Sequence, residues 1–360
     1  MARFAPGLLA ADSSDDGQVI PFLDPQPIDP SKPAVKWQDL RDWITPDQEF
    51  FAVSHYGQQQ VNAANWRLEV DGLVENPIKL TLDQLKQRPA RTTTATLECS
   101  GNGAGAGFMG AIGNATWTGT ALAPLLKECG LKSGATQIAF WGADQGKEKI
   151  RNKEYAQNFA RTLTIQQATI EGVLLAWAMN DLPLTANHGF PLRLIVPGWY
   201  GIAWVKWLTR IEVRDRPLMN RFTARDYVTI RGRRNAGGQI EWTESSVGPL
   251  NVKSLVGRVT RRGDRAVRVT GAAWAQAPIA KVELKIDDGP WIATELGRSA
   301  PDAWIFWSCE WKNPAAGDHT LVSRATDQAG NVQPAADEDA IKLKQTYWEA
   351  NQQYPRKIRL

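Results

Sequence analysis

The sequence predicts an α+β fold, in which a mixed domain of short helices and strands is followed by an all-β sandwich. Three observations lead there. Elements of both kinds fill the first two thirds of the chain without the regular strand-helix alternation of a doubly wound sheet. Helix signals vanish after about residue 235, where alternating strands separated by turn residues take over. The length of 360 residues favours two domains, one large and one small.

Residues 1–44 are rich in Pro and Asp, with Pro21, Pro25, Pro27, Pro30 and Pro33, a composition that predicts an extended arm. The first domain is expected over 45–234. It opens with WRLEVDGLVENPIKLTLDQLKQRP, where Leu68 and Val70 alternate before Asp71-Gly72, and Leu82 and Leu85 then take helical spacing: strand, turn, strand, short helix. TALAPLLKECG and VLLAWAMN read as short helices, TQIAFWGAD and PLRLIVPG as buried strands. The uncharged stretch Cys99 to Leu126 has seven Gly among its 28 residues and reads as a loop, not a membrane span. Over 235–345, RAVRVTGAAW, KVELKIDDGPWIATEL with Asp288-Gly289 at its turn, AWIFWSCEW and HTLVSRATDQAGNVQP form strands at the intervals of an immunoglobulin-like sandwich. The polar tail, 346–360, is expected to pack back as an arm or trail free.

The net charge of +4 is spread through the chain, without the basic stripe of a nucleic-acid binder. Cys99, Cys129 and Cys309 are too few for a disulfide scaffold and lack zinc-site spacing, and three His disfavour an all-His metal centre. The start, MARFAPGLLAADSS, has no export signal, so the chain reads as cytoplasmic as it stands, or periplasmic if a signal has been removed.

Two segments carry the chemistry. In the first, Thr96 to Gly107, the strand-like TTTATLEC delivers Cys99 into a loop of glycines, which tolerate positive φ and let a bulky group approach the backbone. A thiolate there could act as nucleophile, redox thiol or soft-metal ligand, while a buried small hydrophobe is the bland alternative. In the second, His188 to Arg210, the cations His188, Arg193 and Lys206 flank an apolar strand and a Pro-Gly loop, as a phosphate requires. Each of these residues alone is more often an ordinary surface or cap residue.

Together the segments resemble the sulfite oxidase family of molybdenum enzymes, which includes the catalytic domain of eukaryotic nitrate reductase. The resemblance covers roughly residues 45 to 345 and is tightest at Leu97 to Asn102, Trp141 to Asp144, His188 to Arg210 and Asp226-Tyr227. It implies a molybdopterin-binding domain followed by an immunoglobulin-like dimerisation domain, and a two-fold homodimer with faces such as Trp304, Trp307 and Trp311. Cys99 would be the single protein thiolate on molybdenum, a soft ligand that suits the metal. His188, Arg193 and Lys206 would hold the pterin phosphate, with Trp204 and Val205 in the same run. Asp144 would contact the pterin, as would the segment from Phe51 to His55 through Ser54 and His55. Tyr227 would stand at the reacting centre.

The departures concern the substrate. The family usually has Arg where Val53 stands, and two arginines where Gly103 and Ala104 stand; a third pocket Arg finds no secure match in Ala303 to Trp307. The implied activity is oxygen-atom transfer to sulfite or another sulfur compound. The alternative is a noncatalytic binding protein with a vestigial cofactor site. No haem is expected on this chain, so electrons would pass to a separate acceptor such as a c-type cytochrome, or directly to an oxidant.

Overall fold

A computed structural model describes residues 17–24, 33–104, 109–262 and 266–360. The protein is mostly β, and its α-helices are few and short: Leu82–Lys86, Leu122–Cys129, Ile165–Ala168 and Asp339–Lys342 among the described residues. The predicted strand-turn-strand-helix is present as Leu68–Gly72, Ile78–Leu80 and Leu82–Lys86. Thr81 starts that helix, accepting from the Gln84 N–H while the Gln84 side chain accepts from the Thr81 N–H. Such reciprocal capping contributes about 1 kcal/mol to a short helix.

Two sheets build the N-terminal part. One has the order Ile78–Leu80, Leu68–Gly72, Leu208–Arg214, Gln137–Ile150, Lys153–Thr164. The other runs Arg193–Ile195, Leu174–Met179, Ile112–Ala121, Ala90–Glu98. Two expectations are corrected in this second sheet. VLLAWAMN is the strand Leu174–Met179, not a helix. It is central and apolar on both faces, so its run of buried residues carries no period to separate strand from helix. The uncharged stretch after Cys99 is a loop only at its start, since Ile112–Ala121 is a ten-residue strand. Its glycines misled the reading, but they serve close approach: a Cβ on Gly119 would stand 2.2 Å from the Leu175 carbonyl oxygen.

Beyond residue 250 four strands, joined at the edge by Gln18–Val19 into a five-stranded sheet, and a four-stranded sheet enclose a second apolar core. The strands Lys253–Arg262 and Ala266–Trp274 serve both cores. Leu255, Ala272 and Trp274 pack into the first, while Val256, Val259, Val267 and Val269 pack into the second. The period-two alternation of a strand makes this sharing possible. Between the two parts stands a hairpin, Val228–Arg234 with Ile240–Ser246.

Where it is described, the N-terminal segment is a short edge strand followed by a stretch with a turn at 37–39, where the Asp39 and Leu40 N–H groups donate to the Lys36 and Trp37 carbonyls. Gln18–Val19 pairs with Thr260 and Arg261 at the sheet edge, and Val35, Trp37 and Trp43 are buried in the first core. The rest of the arm, and residues 105–108 of the glycine loop, lie outside the described residues. The tail packs back, ending as Arg356–Arg359 paired with Asp318–Asp327. Trp304 and Trp307 are buried, so they form no outer face for dimer contact. The indole N–H groups of Trp43 and Trp304 donate to each other's backbone carbonyls at 3.0 and 2.9 Å. No helix among the described residues is long and apolar enough to cross a membrane.

Candidate active site

The strand Ala90–Glu98 ends at the floor of a cleft of about 660 Å³ and places Cys99 there. The Cys99 N–H donates to the Ala111 carbonyl at 2.9 Å, which pins the turn to the start of the neighbouring strand. Burial pushes the thiol up to about 11, so it is protonated at neutral pH.

One wall comes from the run His188 to Trp207. The Arg193 guanidinium is 3% exposed, donates to the carbonyls of His188 and Trp204 at 3.1 and 3.3 Å, and lies 4.8 Å from the Trp117 ring centre. Its Nε has no partner, and burial lowers its pKa to about 9. The Lys206 ammonium donates to the Asn187 carbonyl at 2.9 Å and sits over the Trp207 ring at 4.2 Å; burial holds it down at about 7. Neither cation meets a carboxylate in an ion pair among the described residues. His188 has both ring nitrogens engaged, with the Thr185 hydroxyl at 3.0 Å and the Phe50 carbonyl at 3.4 Å. Burial lowers it to about 4, so the ring is neutral.

Asp144 faces the cleft with Oδ1 buried and unpartnered, and burial raises its carboxyl to about 6. Phe51, Val53, Ser54 and His55 supply the opposite wall. His55 bonds through Nε2 to the Tyr227 hydroxyl and packs against Phe159 and Phe222, with burial lowering its pKa to about 4. Burial likewise pushes the Tyr227 hydroxyl well above its ordinary value.

The cleft therefore gathers Cys99, Phe51, Ser54, His55, Asp144, His188, Arg193, Trp204, Lys206 and Tyr227. Val205 does not line it; its side chain is buried in the core beneath. Ala303 to Trp307 do not line it either, since the Trp304 N–H donates to the Thr96 hydroxyl at 2.7 Å on the far side of the sheet.

Several neighbours escaped the sequence reading. Glu98 and Lys253 form a fully buried ion pair at 2.6 Å directly behind Cys99. A carboxylate within the strand-like run TTTATLEC, which has no other charged residue, was the available signal. From the tail, Trp348 stacks on Tyr227, and the Glu349 N–H donates to the Ser100 carbonyl at 2.7 Å. Nothing in a polar C-terminal segment marked it as part of a cleft.

The orphaned atoms define what fits. An unpaired carboxylate oxygen suits the N–H edge of a pterin, a buried guanidinium with an unpartnered Nε beside a half-buried ammonium suits a phosphate, and a thiol in the cleft lining suits a soft metal. Comparison with known proteins agrees. Residues 55–222 match the oxidoreductase molybdopterin binding domain. Sulfite oxidase from Drosophila melanogaster is 30% identical over 84% of this chain, and that from Arabidopsis thaliana 29% over 85%; the chain spans 57% and 86% of their lengths. NADH nitrate reductase from Ulva prolifera is 29% identical, and the chain spans 38% of it. The crystal structure of the sulfane dehydrogenase SoxCD from Paracoccus pantotrophus superposes with a TM-score of 0.77 at 26% identity, covering 89% of this chain and 82% of that one.

Fold and cleft are those of a molybdopterin-dependent oxidoreductase. Within that class the chain belongs to the sulfite oxidase family.

Proposed function

We propose that this protein oxidises a sulfur compound other than free sulfite, with a molybdenum-molybdopterin cofactor held in the cleft. The observation that carries the reading is the contrast between what the cleft keeps and what it lacks. It is lined by a thiol and by two cations without a carboxylate ion pair among the described residues, whereas Val53 in the same lining is 44% exposed where the resemblance implies an arginine, and Ala104, outside the lining, is exposed where it implies another. A small dianion loses charge-assisted donors there, each worth about 1.5–3 kcal/mol, while a larger or less charged molecule gains room. The relative described as a sulfane dehydrogenase supports this substrate class.

When bound, the cofactor supplies two-electron oxygen-atom transfer to sulfur. Cys99 would give the metal its one protein thiolate. Arg193 and Lys206 would hold the phosphate, and Asp144 would accept from the pterin N–H edge. Tyr227, aimed by His55, would donate its hydroxyl proton to a bound oxyanion. Phe159, Trp204 and Trp207 keep bulk water from the floor. Electrons would leave to a separate carrier such as a c-type cytochrome. In this reading residues 45–234 form the catalytic unit, and 235–345 an immunoglobulin-like sandwich through which two copies pair, which sedimentation velocity would test.

The deciding experiment is a substrate panel of sulfite, thiosulfate and organic persulfides or sulfinates with an artificial electron acceptor. Higher kcat/KM for a member other than sulfite supports the reading. Preference for sulfite at micromolar concentration overturns it.

A further inference from the structure

We infer that Lys253, from a strand shared by the two cores, is a positioning residue for the metal ligand, acting on Cys99 through the buried carboxylate of Glu98. The Glu98 and Lys253 side chains are both 0% exposed and 2.6 Å apart. Their surroundings are saturated. Glu98 Oε1 also accepts from the Asn102 side-chain amide at 2.9 Å, and Oε2 accepts from the Trp274 indole N–H at 2.8 Å. The Lys253 ammonium also donates to the Asn102 carbonyl at 3.1 Å, and Asn102 Oδ1 accepts from the Ala111 N–H at 3.1 Å.

These bonds close around the turn Cys99 to Asn102, whose own Asn102 N–H donates to the Cys99 carbonyl at 2.9 Å. Cys99 follows Glu98 directly, so the direction of its Cα–Cβ bond is set by a peptide fixed on both sides. A buried ion pair seldom adds net stability over an apolar pair of similar volume. What it does here is hold orientation: two donors approach one carboxylate from a different strand pair, Lys253 and Trp274, and a third comes from the turn itself. A metal-bound thiolate is sensitive to such support, because groups that orient a ligand govern how well the site retains its metal. The inference rests on Cys99 being that ligand.

The test compares purified holoprotein variants by molybdenum per chain, by the visible thiolate-to-metal charge-transfer absorption, and by melting temperature. Cys99→Ser checks the underlying ligand assignment by itself: an unchanged band there overturns that assignment and leaves nothing for Lys253 to position. The double variant Glu98→Gln with Lys253→Met removes both charges and keeps the volume. We expect it to fold, to retain several-fold less molybdenum, and to shift the band. Trp274→Phe removes one donor to Glu98 and keeps the ring; it is expected to move both readouts in the same direction by less, and it carries the test if the double variant does not fold. Ser323→Ala deletes a hydroxyl bonded to Ser254, next to Lys253, at 2.9 Å and is the control for general loosening. Wild-type molybdenum content and an unchanged band in a folded double variant, or in Trp274→Phe if that variant alone folds, overturns the inference. So does an equal loss in Ser323→Ala.

Discussion

The Trp348 indole lies against the Tyr227 ring, with centroids 4.3 Å apart and planes 24° from parallel. The contact brings the C-terminal tail against residues that line the cleft, since the Trp348 indole N–H donates to the Asp226 carbonyl and the Glu349 N–H to the Ser100 carbonyl. A stacked aromatic pair contributes about 0.5–1.5 kcal/mol beyond its burial.

Trp348→Ala should therefore lower the melting temperature by a few degrees and free the Tyr227 ring. kcat/KM is expected to fall about tenfold, with Trp348→Phe recovering most of it. Steady-state kinetics with the best substrate of the panel decide this, and equal activity in all three proteins would show that Tyr227 needs no stacking partner.

Arginines at positions 53 and 104 should raise affinity for a small dianion. Val53→Arg with Ala104→Arg is expected to raise sulfite kcat/KM by ten-fold or more, each single substitution giving less because one guanidinium leaves the other face of the anion unpaired. No gain in the double variant would mean that other residues already serve the anion.

Lys206→Met separates cofactor retention from stability. The ammonium is held near 7 by burial and donates to one carbonyl, so its loss should change the melting point of cofactor-free protein little. Cofactor retained after dialysis should nonetheless fall about tenfold, one charge-assisted contact being worth about 1.5–3 kcal/mol. Full retention would remove Lys206 from the phosphate site.

Acid should weaken the cofactor-free protein through its histidines. His188 is depressed to about 4 from an ordinary 6.5, so between those values the unfolded chain binds more protons. Stability from this group is intact above pH 6.5, falls as the pH drops toward 4, and then levels. Asp144, raised to about 6, works in the opposite direction over part of that window. The difference between wild type and His188→Gln in urea midpoints isolates the histidine: the gap should shrink by on the order of 2 kcal/mol from pH 7 to 4. A constant gap would show that folding does not lower the pKa of this ring.

The site was more legible in the sequence than the fold. Cys99, His188, Arg193 and Lys206 stand out by residue type and spacing, Asp144 and Tyr227 only by the family resemblance, and the cleft collects all six. The strand Leu174–Met179 was misread because burial on both faces erases the alternation by which strands are recognised. Ile112–Ala121 was missed because glycines chosen for close packing look like glycines chosen for loops. Trp348 and Lys253 were invisible for a different reason: each acts across more than a hundred residues of chain, on Tyr227 and Glu98, and no local pattern encodes such a meeting.

The strands Lys253–Arg262 and Ala266–Trp274 lend one face to each apolar core, which makes the two halves poor candidates for separate life. Cutting the chain near residue 250 would strip the first core of Leu255, Ala272 and Trp274 in the N-terminal piece and leave those side chains facing water in the C-terminal one. Heat or urea should accordingly dismantle both cores in one cooperative transition, with enzyme and scaffold lost together.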